Sequence, residues 1–284
     1  MQPAKAGARQ SSTRESANPR QVLVTAELVA AAGCCVAFAL LWLRQRRTHN
    51  ATSVDAAWAI AIGVLGIASA ATGTGSPLQR LLAGTIAAAW SARLSWHLVV
   101  HRVLGHPQED GRYRAMREHW GPRADRNLFV FYQAQAMAAL VFALPFWFLS
   151  RHTAPSLAAT QWCGLGVVAL GLTVEALADR QLERHRRDPT QRGRTCRRGL
   201  WRLSRHPNYF GEWLVWCGIG LVAAEAAGWL AVLQPAVMFV LVRFVSGVPF
   251  TELQALKSRG DDYRRYQQET SAFVPWWPRA GAPR

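Results

Sequence analysis

Glu175, Asp179 and Arg186 stand four and then seven residues apart. On a helix such steps stay within about 40° of one line, so the three side chains share a face. Ionisable groups at membrane depth are costly and by default mark function, and two acids with a guanidinium can hold a polar ligand there. The alternative is a surface ladder of ion pairs. A second group is the unbroken run Ser204-Arg205-His206-Pro207-Asn208-Tyr209-Phe210-Gly211-Glu212. Pro207 suits the first turn of a helix, where its missing N–H would be unpaired in any case. The free N–H groups of a helix start attract anions, and Arg205 and His206 stand just before it. Asn208 and Glu212, four apart, share a face, and Gly211 allows something to approach that face closely. Arg205, His206, Asn208, Tyr209 and Glu212 together read as a site for a phosphate-bearing cofactor. A plain capped helix start is the alternative.

A third group comprises His101, Arg102, His106, Glu109, Asp110, Arg112 and Tyr113. It reads either as a phosphate-binding segment or as a solvated amphipathic helix. His97 and His101 are four apart, but the eight histidines are scattered along the chain, so no metal site is expected. Asp55 opens an apolar segment with Trp58 nearly a turn on. An acid at a helix start is favoured by the dipole, and a simple cap is the alternative to a catalytic role. The chain carries no P-loop, no dinucleotide-fold glycine pattern and no Ser-His-Asp arrangement, so any nucleotide site is not of the soluble type.

The elements that must position these groups are membrane helices. Half of the 284 residues are apolar, and they gather in blocks of roughly 17–25 residues, the length that crosses a bilayer. Seven blocks stand out, at residues 22–43, 54–72, 78–100, 128–149, 161–178, 209–224 and 228–246. The expected fold is an all-α polytopic bundle of about seven transmembrane helices, the last two forming a tight hairpin. Residues 1–21 read as a polar, disordered tail and residues 22–284 as one membrane domain. The net charge of +16, from 33 basic and 17 acidic residues, sits in alternate loops. The positive-inside rule accounts for most of it and places the N-terminus outside and the C-terminus in the cytoplasm of a cell-membrane protein, with no nucleic-acid partner. Glu27, Glu225 and Arg243 read as bundle ion pairs or snorkelling groups. Residues 252–269 form an amphipathic stretch followed by Phe273, Pro275, Trp276 and Trp277, read as a cytoplasmic helix returning to the membrane surface.

At these residues the chain resembles the steroid 5α-reductase family, and within it an uncharacterised bacterial branch. The resemblance is carried by Gly199-Leu200-Trp201, by residues 204–212 and by Trp216-Cys217-Gly218. It is also carried by Glu175, Asp179, Gln181 and Leu182, by residues 109–113, and by the closing Tyr263, Tyr266, Phe273 and Pro275, with the signature at about 160–277. The resemblance implies a seven-helix fold that binds NADPH and reduces a conjugated double bond in a lipid drawn from the bilayer. Carried over residue by residue, Asp179, Arg186, Asn208, Glu212 and Tyr263 match cofactor-contacting positions, and Arg93 and Arg102 match the basic residues after the third span. Asp55 falls at the acid that holds the substrate carbonyl, and Trp90 stands where the family has that acid's partner tyrosine. A similar Arg-His-Pro-x-Tyr-x-Gly stretch occurs in isoprenylcysteine carboxyl methyltransferases, which bind S-adenosylmethionine. A non-enzymatic lipid-binding protein is the third reading.

Overall fold

The computed structural model describes residues 19–105 and 108–279. The expected tail, residues 1–21, lies outside them but for its last three residues, which already belong to a helix, and His106 lies outside them too. The described chain is helical throughout, with no strand among the described residues. The helices are α1 (Pro19–Thr48), α2 (Ser53–Thr72), α3 (Pro77–Leu98), α4 (Gly111–Trp120), α5 (Ala124–Leu149), α6 (Ala159–Arg187), α7 (Pro207–Ala227), α8 (Leu233–Val240), α9 (Val248–Arg259) and α10 (Asp261–Glu269). Five continuous stretches are long and apolar enough to cross a membrane: Glu27–Thr48, Ser53–Thr72, Gly111–Leu149, Ala159–Arg187 and Pro207–Arg259. The last holds both arms of the expected hairpin, which turns at Gly228 with φ +58°. The third expected span is α3, kept outside that set by composition, since it carries Gln79, Arg80, Arg93 and His97.

Several boundaries move for local reasons. α3 runs on through a π-helical turn, Val99–Leu104, which carries His101 and Arg102. Such wide turns re-aim side chains and recur at functional sites. α6 continues to Arg187, nine residues beyond the apolar block, because helix-favouring Arg, Gln, Leu and Glu follow it. The single C-terminal helix expected over 252–269 is two helices, broken at Gly260 with φ +52°, where α10 begins with Asp261 and Asp262 against its dipole.

The most extensive packing joins α6 to α7. A Cβ built at Gly171 would meet Val215 N at 2.7 Å and Gly211 O at 2.8 Å. One at Gly218 would meet Val168 N at 2.6 Å and Gly164 O at 2.7 Å. Small residues let membrane helices meet backbone to backbone, so the partner that approaches Gly211 closely is α6. The bundle centre is aromatic: Trp58, Trp90, Trp216 and Phe142 meet edge to face at 4.6–6.0 Å. The odd charges of the spans find partners. Glu27 accepts from Trp147 at 2.8 Å and pairs with Arg151, Glu225 accepts from Thr160 at 2.9 Å, and Arg243 lies over Phe244.

Candidate functional site

At the arginine-rich end, α3 with its π turn, α4, α6, the start of α7 and α9 enclose a cavity of about 1330 Å³. Its wall brings together seven of the expected site residues: Arg93, Arg102, Asp179, Arg186, His206, Asn208 and Tyr209. Asn208 Nδ2 donates to Asp179 Oδ1 at 3.1 Å, and His97 Nδ1 stands 3.6 Å from Asp179 Oδ2. One carboxylate therefore ties α3, α6 and α7 together at the wall. His206 stacks on Tyr209 with ring centres 5.5 Å apart, and its Nε2 lies 3.3 Å from Glu252. Burial pushes the His206 imidazole below its ordinary value, against the opposing pull of Glu252.

The wall holds eight arginines against four carboxylates. Arg93, Arg102, Arg112 and Arg187 are in ion pairs, and Arg114 donates to the Glu109 carbonyl. Arg180, Arg184 and Arg186 form no ion pair and no side-chain hydrogen bond among the described residues. Three uncompensated guanidiniums around one cavity create a positive field, and guanidinium forks match phosphate oxygens.

The other expected residues lie elsewhere. Asp55 accepts from Arg112 Nη2 and from the Tyr113 hydroxyl, both at 2.5 Å, with Arg102 Nη1 3.5 Å away. It does not cap α2, because its carboxylate reaches across to α4. Asp110 caps α4 by accepting from Arg112 N at 2.9 Å. Burial works against the charge of the Asp110 carboxyl, but the Arg112 hydrogen bonds and the charges of Arg112 and Arg102 hold it below the usual range. A tyrosine thus does stand beside Asp55, but it is Tyr113 from α4. Trp90 donates to Glu212 at 3.0 Å instead, with Trp216 donating to the same oxygen at 2.9 Å. Glu212 is buried, as is Glu175, which pairs with Arg93.

Arg205 and Tyr263 line an adjoining cavity of about 350 Å³, shared with Arg186 and Arg259. Arg205 is committed to the C-terminal segment. It binds Glu252 at 2.7 Å and the carbonyls of Gln267 and Thr270 at 2.8 and 2.7 Å. Tyr266 donates to the carbonyls of Trp201 and Ser204, and Ser204 Oγ donates to the Phe273 carbonyl at 2.7 Å. Arg197 pairs with Asp262 and Glu269. The closing Tyr-x-x-Tyr and Phe-x-Pro motifs therefore brace the loop that delivers His206 and Asn208. Likewise Gln181 Oε1 accepts from Leu200 N at 2.9 Å beneath Gly199, which needs its φ of +59°.

Arg180 and Arg184 were not among the expected site residues, His97 was weighed only as a metal ligand, and Tyr113 stood in the third group with no partner assigned. For the arginines a signal existed: Arg180, Arg184 and Arg187 follow one another at helical spacing beside the Glu175–Asp179–Arg186 stripe. For the pairing of Tyr113 with Asp55 none did, since it joins residues 58 apart in the chain.

No curated protein and no solved structure matches the chain. Residues 41–270 match the family described as a protein of unknown function, DUF1295, a stretch that runs from the end of α1 through α10 and takes in the cavity wall. An all-helical membrane protein whose arginine-rich end holds the cavity, the chain belongs to the DUF1295 family.

Proposed function

We propose that the protein is an integral membrane NADPH-dependent reductase of a conjugated double bond in a lipid. The observation that carries this reading is the 1330 Å³ cavity edged by Arg180, Arg184 and Arg186, whose guanidiniums have no partner among the described residues. The residues present fit a dinucleotide phosphate. The free guanidiniums would hold its phosphates, and the Asn208–Asp179 pair offers amide and carboxylate groups to a polar ring deeper in the wall. When bound, NADPH supplies the hydride and the protein supplies orientation and electrostatics. Substrate carbonyl polarisation needs a donor aimed at developing negative charge. Asp55 is surrounded by donors and acts as their acceptor, so Arg102, which faces the cavity, is the donor at that place. Asp55 and Tyr113 orient the arginine pair from behind. The membrane setting and the steroid-reductase-like motifs support a hydrophobic substrate.

The test follows NADPH oxidation by the purified protein with sterol, polyprenoid and enoyl-lipid enones. NADPH should also raise the thermal midpoint, and S-adenosylmethionine should not. No turnover across the panel together with no NADPH binding would sink the reading, and stabilisation by S-adenosylmethionine alone would replace it with a methyltransferase. Arg180→Gln and Arg184→Gln should each weaken NADPH binding by about tenfold, the worth of one charge-assisted hydrogen bond of roughly 1.5 kcal/mol. Helical content should be unchanged, and a titration in detergent measures the affinity.

A further inference from the structure

Glu175 and Glu212 occupy the α6–α7 interface and line neither cavity. Glu175 is 5 % exposed and Glu212 8 %. Donors around them are few. Trp90 and Trp216 both serve Oε1 of Glu212, Trp90 with a longer contact of 3.4 Å to Oε2, and Arg93 is the one cation paired with Glu175 among the described residues. Glu175 Oε2 is buried and meets no hydrogen-bond donor among the described residues. Glu212 follows Gly211 in the chain, and Gly211 packs directly on Glu175, so the two acids are neighbours across the helix contact. An added Cβ at Gly211 would lie 2.8 Å from Glu175 N and 3.0 Å from Glu175 Cβ.

The charged surroundings are equally spare. From α3 comes Arg93 alone, and from α6 comes Asp179, one turn on and held by Asn208 and His97. The aromatic cluster around Trp90 and Trp216 adds Trp58 from α2 and Phe142 from α5, both uncharged. Two carboxylates and one guanidinium in a low-dielectric interior leave an uncompensated negative charge, and neighbouring like charges there do not both ionise. One proton removes both faults. It neutralises the cluster, and it gives Glu175 Oε2 the donor that no other group supplies.

We propose that Glu175 and Glu212 hold one proton between them as a hydrogen-bonded acid–carboxylate pair balanced by Arg93, and that this pair is a proton-exchange site. Arg93 lines the cavity and pairs with Glu175, so it marks the way between the pair and the polar contents of the cavity. On the reductase reading, the O–H bond of the pair breaks as its proton passes to water on the cavity side beside Arg93, and that water gives up a proton as a C–H bond forms at the substrate carbon that carries the electron pair. The O–H electrons stay on the carboxylate, and a proton from water on the cavity side restores the pair. That use rests on the reductase reading; the shared proton rests on geometry.

Infrared spectroscopy of the purified full chain at neutral pH tests the pair. A protonated-carboxyl C=O band that shifts in D2O is expected in the wild type and should be lost in both Glu175→Gln and Glu212→Gln, which keep the helical signal. Absence of the band in the wild type, or its persistence in both variants, overturns the proposal. Should either variant fail to fold, Trp90→Phe removes one donor to Glu212 and should move the band, and an unmoved band counts against the pair. A band present without NADPH turnover keeps the proton site and removes the reductase, while turnover without the band does the reverse.

Discussion

Asp55 sits where two arginines and a tyrosine converge, and its position explains the motif around residues 109–113. Asp110 caps α4 and binds Arg112, Glu109 accepts from Ala51 N at 2.9 Å, and Tyr113 and Arg112 reach Asp55. The start of α2 is thereby riveted to the start of α4. Asp55→Asn removes the charge that two guanidiniums face, and should cost about 2 kcal/mol, read as a fall of several degrees in the thermal midpoint. A midpoint within one degree of wild type would show the network to be idle. His206 gives a pH dependence of known sign. Its folded value is lowered below the ordinary 6.5 by burial, so the unfolded chain binds the proton first. The stability it contributes is present above pH 6.5 and is lost as the pH falls through the folded value. His206→Gln should flatten the fall of the midpoint in that acid window, compared with wild type across a pH series.

Helices α6 and α7 are the elements on which the site depends, since they carry Asp179, the free arginines, Asn208 and the carboxyl pair. Their glycines decide how close those groups come. Gly171→Ala places a methyl against backbone atoms of α7 at 2.7–2.8 Å, which cannot yield as a flexible side chain would. An overpacking cost of roughly 1–3 kcal/mol follows. Gly166, on the same helix, meets nothing within 4 Å, so Gly166→Ala should leave the midpoint unchanged or raise it. Equal behaviour of the two variants would refute backbone contact as the reason for the glycine spacing. The hydropathy pattern located these helices within a few residues. It could not show that α6 outruns its apolar block to Arg187, because that final stretch is polar and its helicity comes from propensity.

For the whole molecule, charge asymmetry is the organising feature. Glu27, Arg151, Glu225 and His152 cluster at one end, and the arginine-rich loops, both cavities and the C-terminal brace at the other. The positive-inside rule predicts that the arginine-rich end faces the cytoplasm. In a variant with the native cysteines replaced, a cysteine at Arg187 should resist a membrane-impermeant thiol reagent in intact cells and react once the membrane is opened. One at Ser156 should react in both. The reverse pattern would invert the topology. Exposed Trp276 and Trp277, after a segment fastened through Trp276 N to the Leu203 carbonyl at 2.9 Å, place aromatic rings on the basic side.

The sequence by itself determined the helical membrane class, the hairpin, the basic loops and the two runs that supply the cavity wall. These are local matters: apolar length, charge between blocks, and spacing along one helix. Which polar groups face the cavity and which face one another was decided only in three dimensions. Arg205 and Glu212 stand seven residues apart in a single motif, yet one braces the C-terminal segment and the other is buried between two tryptophans from different helices. Asp55 finds its tyrosine on α4 and Trp90 finds Glu212 on α7, because the partner of a buried polar group is set by which helix face packs against it. The arginines share that history. Their number was plain in the sequence as a topology signal, but only the packed bundle separates those already neutralised by carboxylates from Arg180, Arg184 and Arg186, which are not.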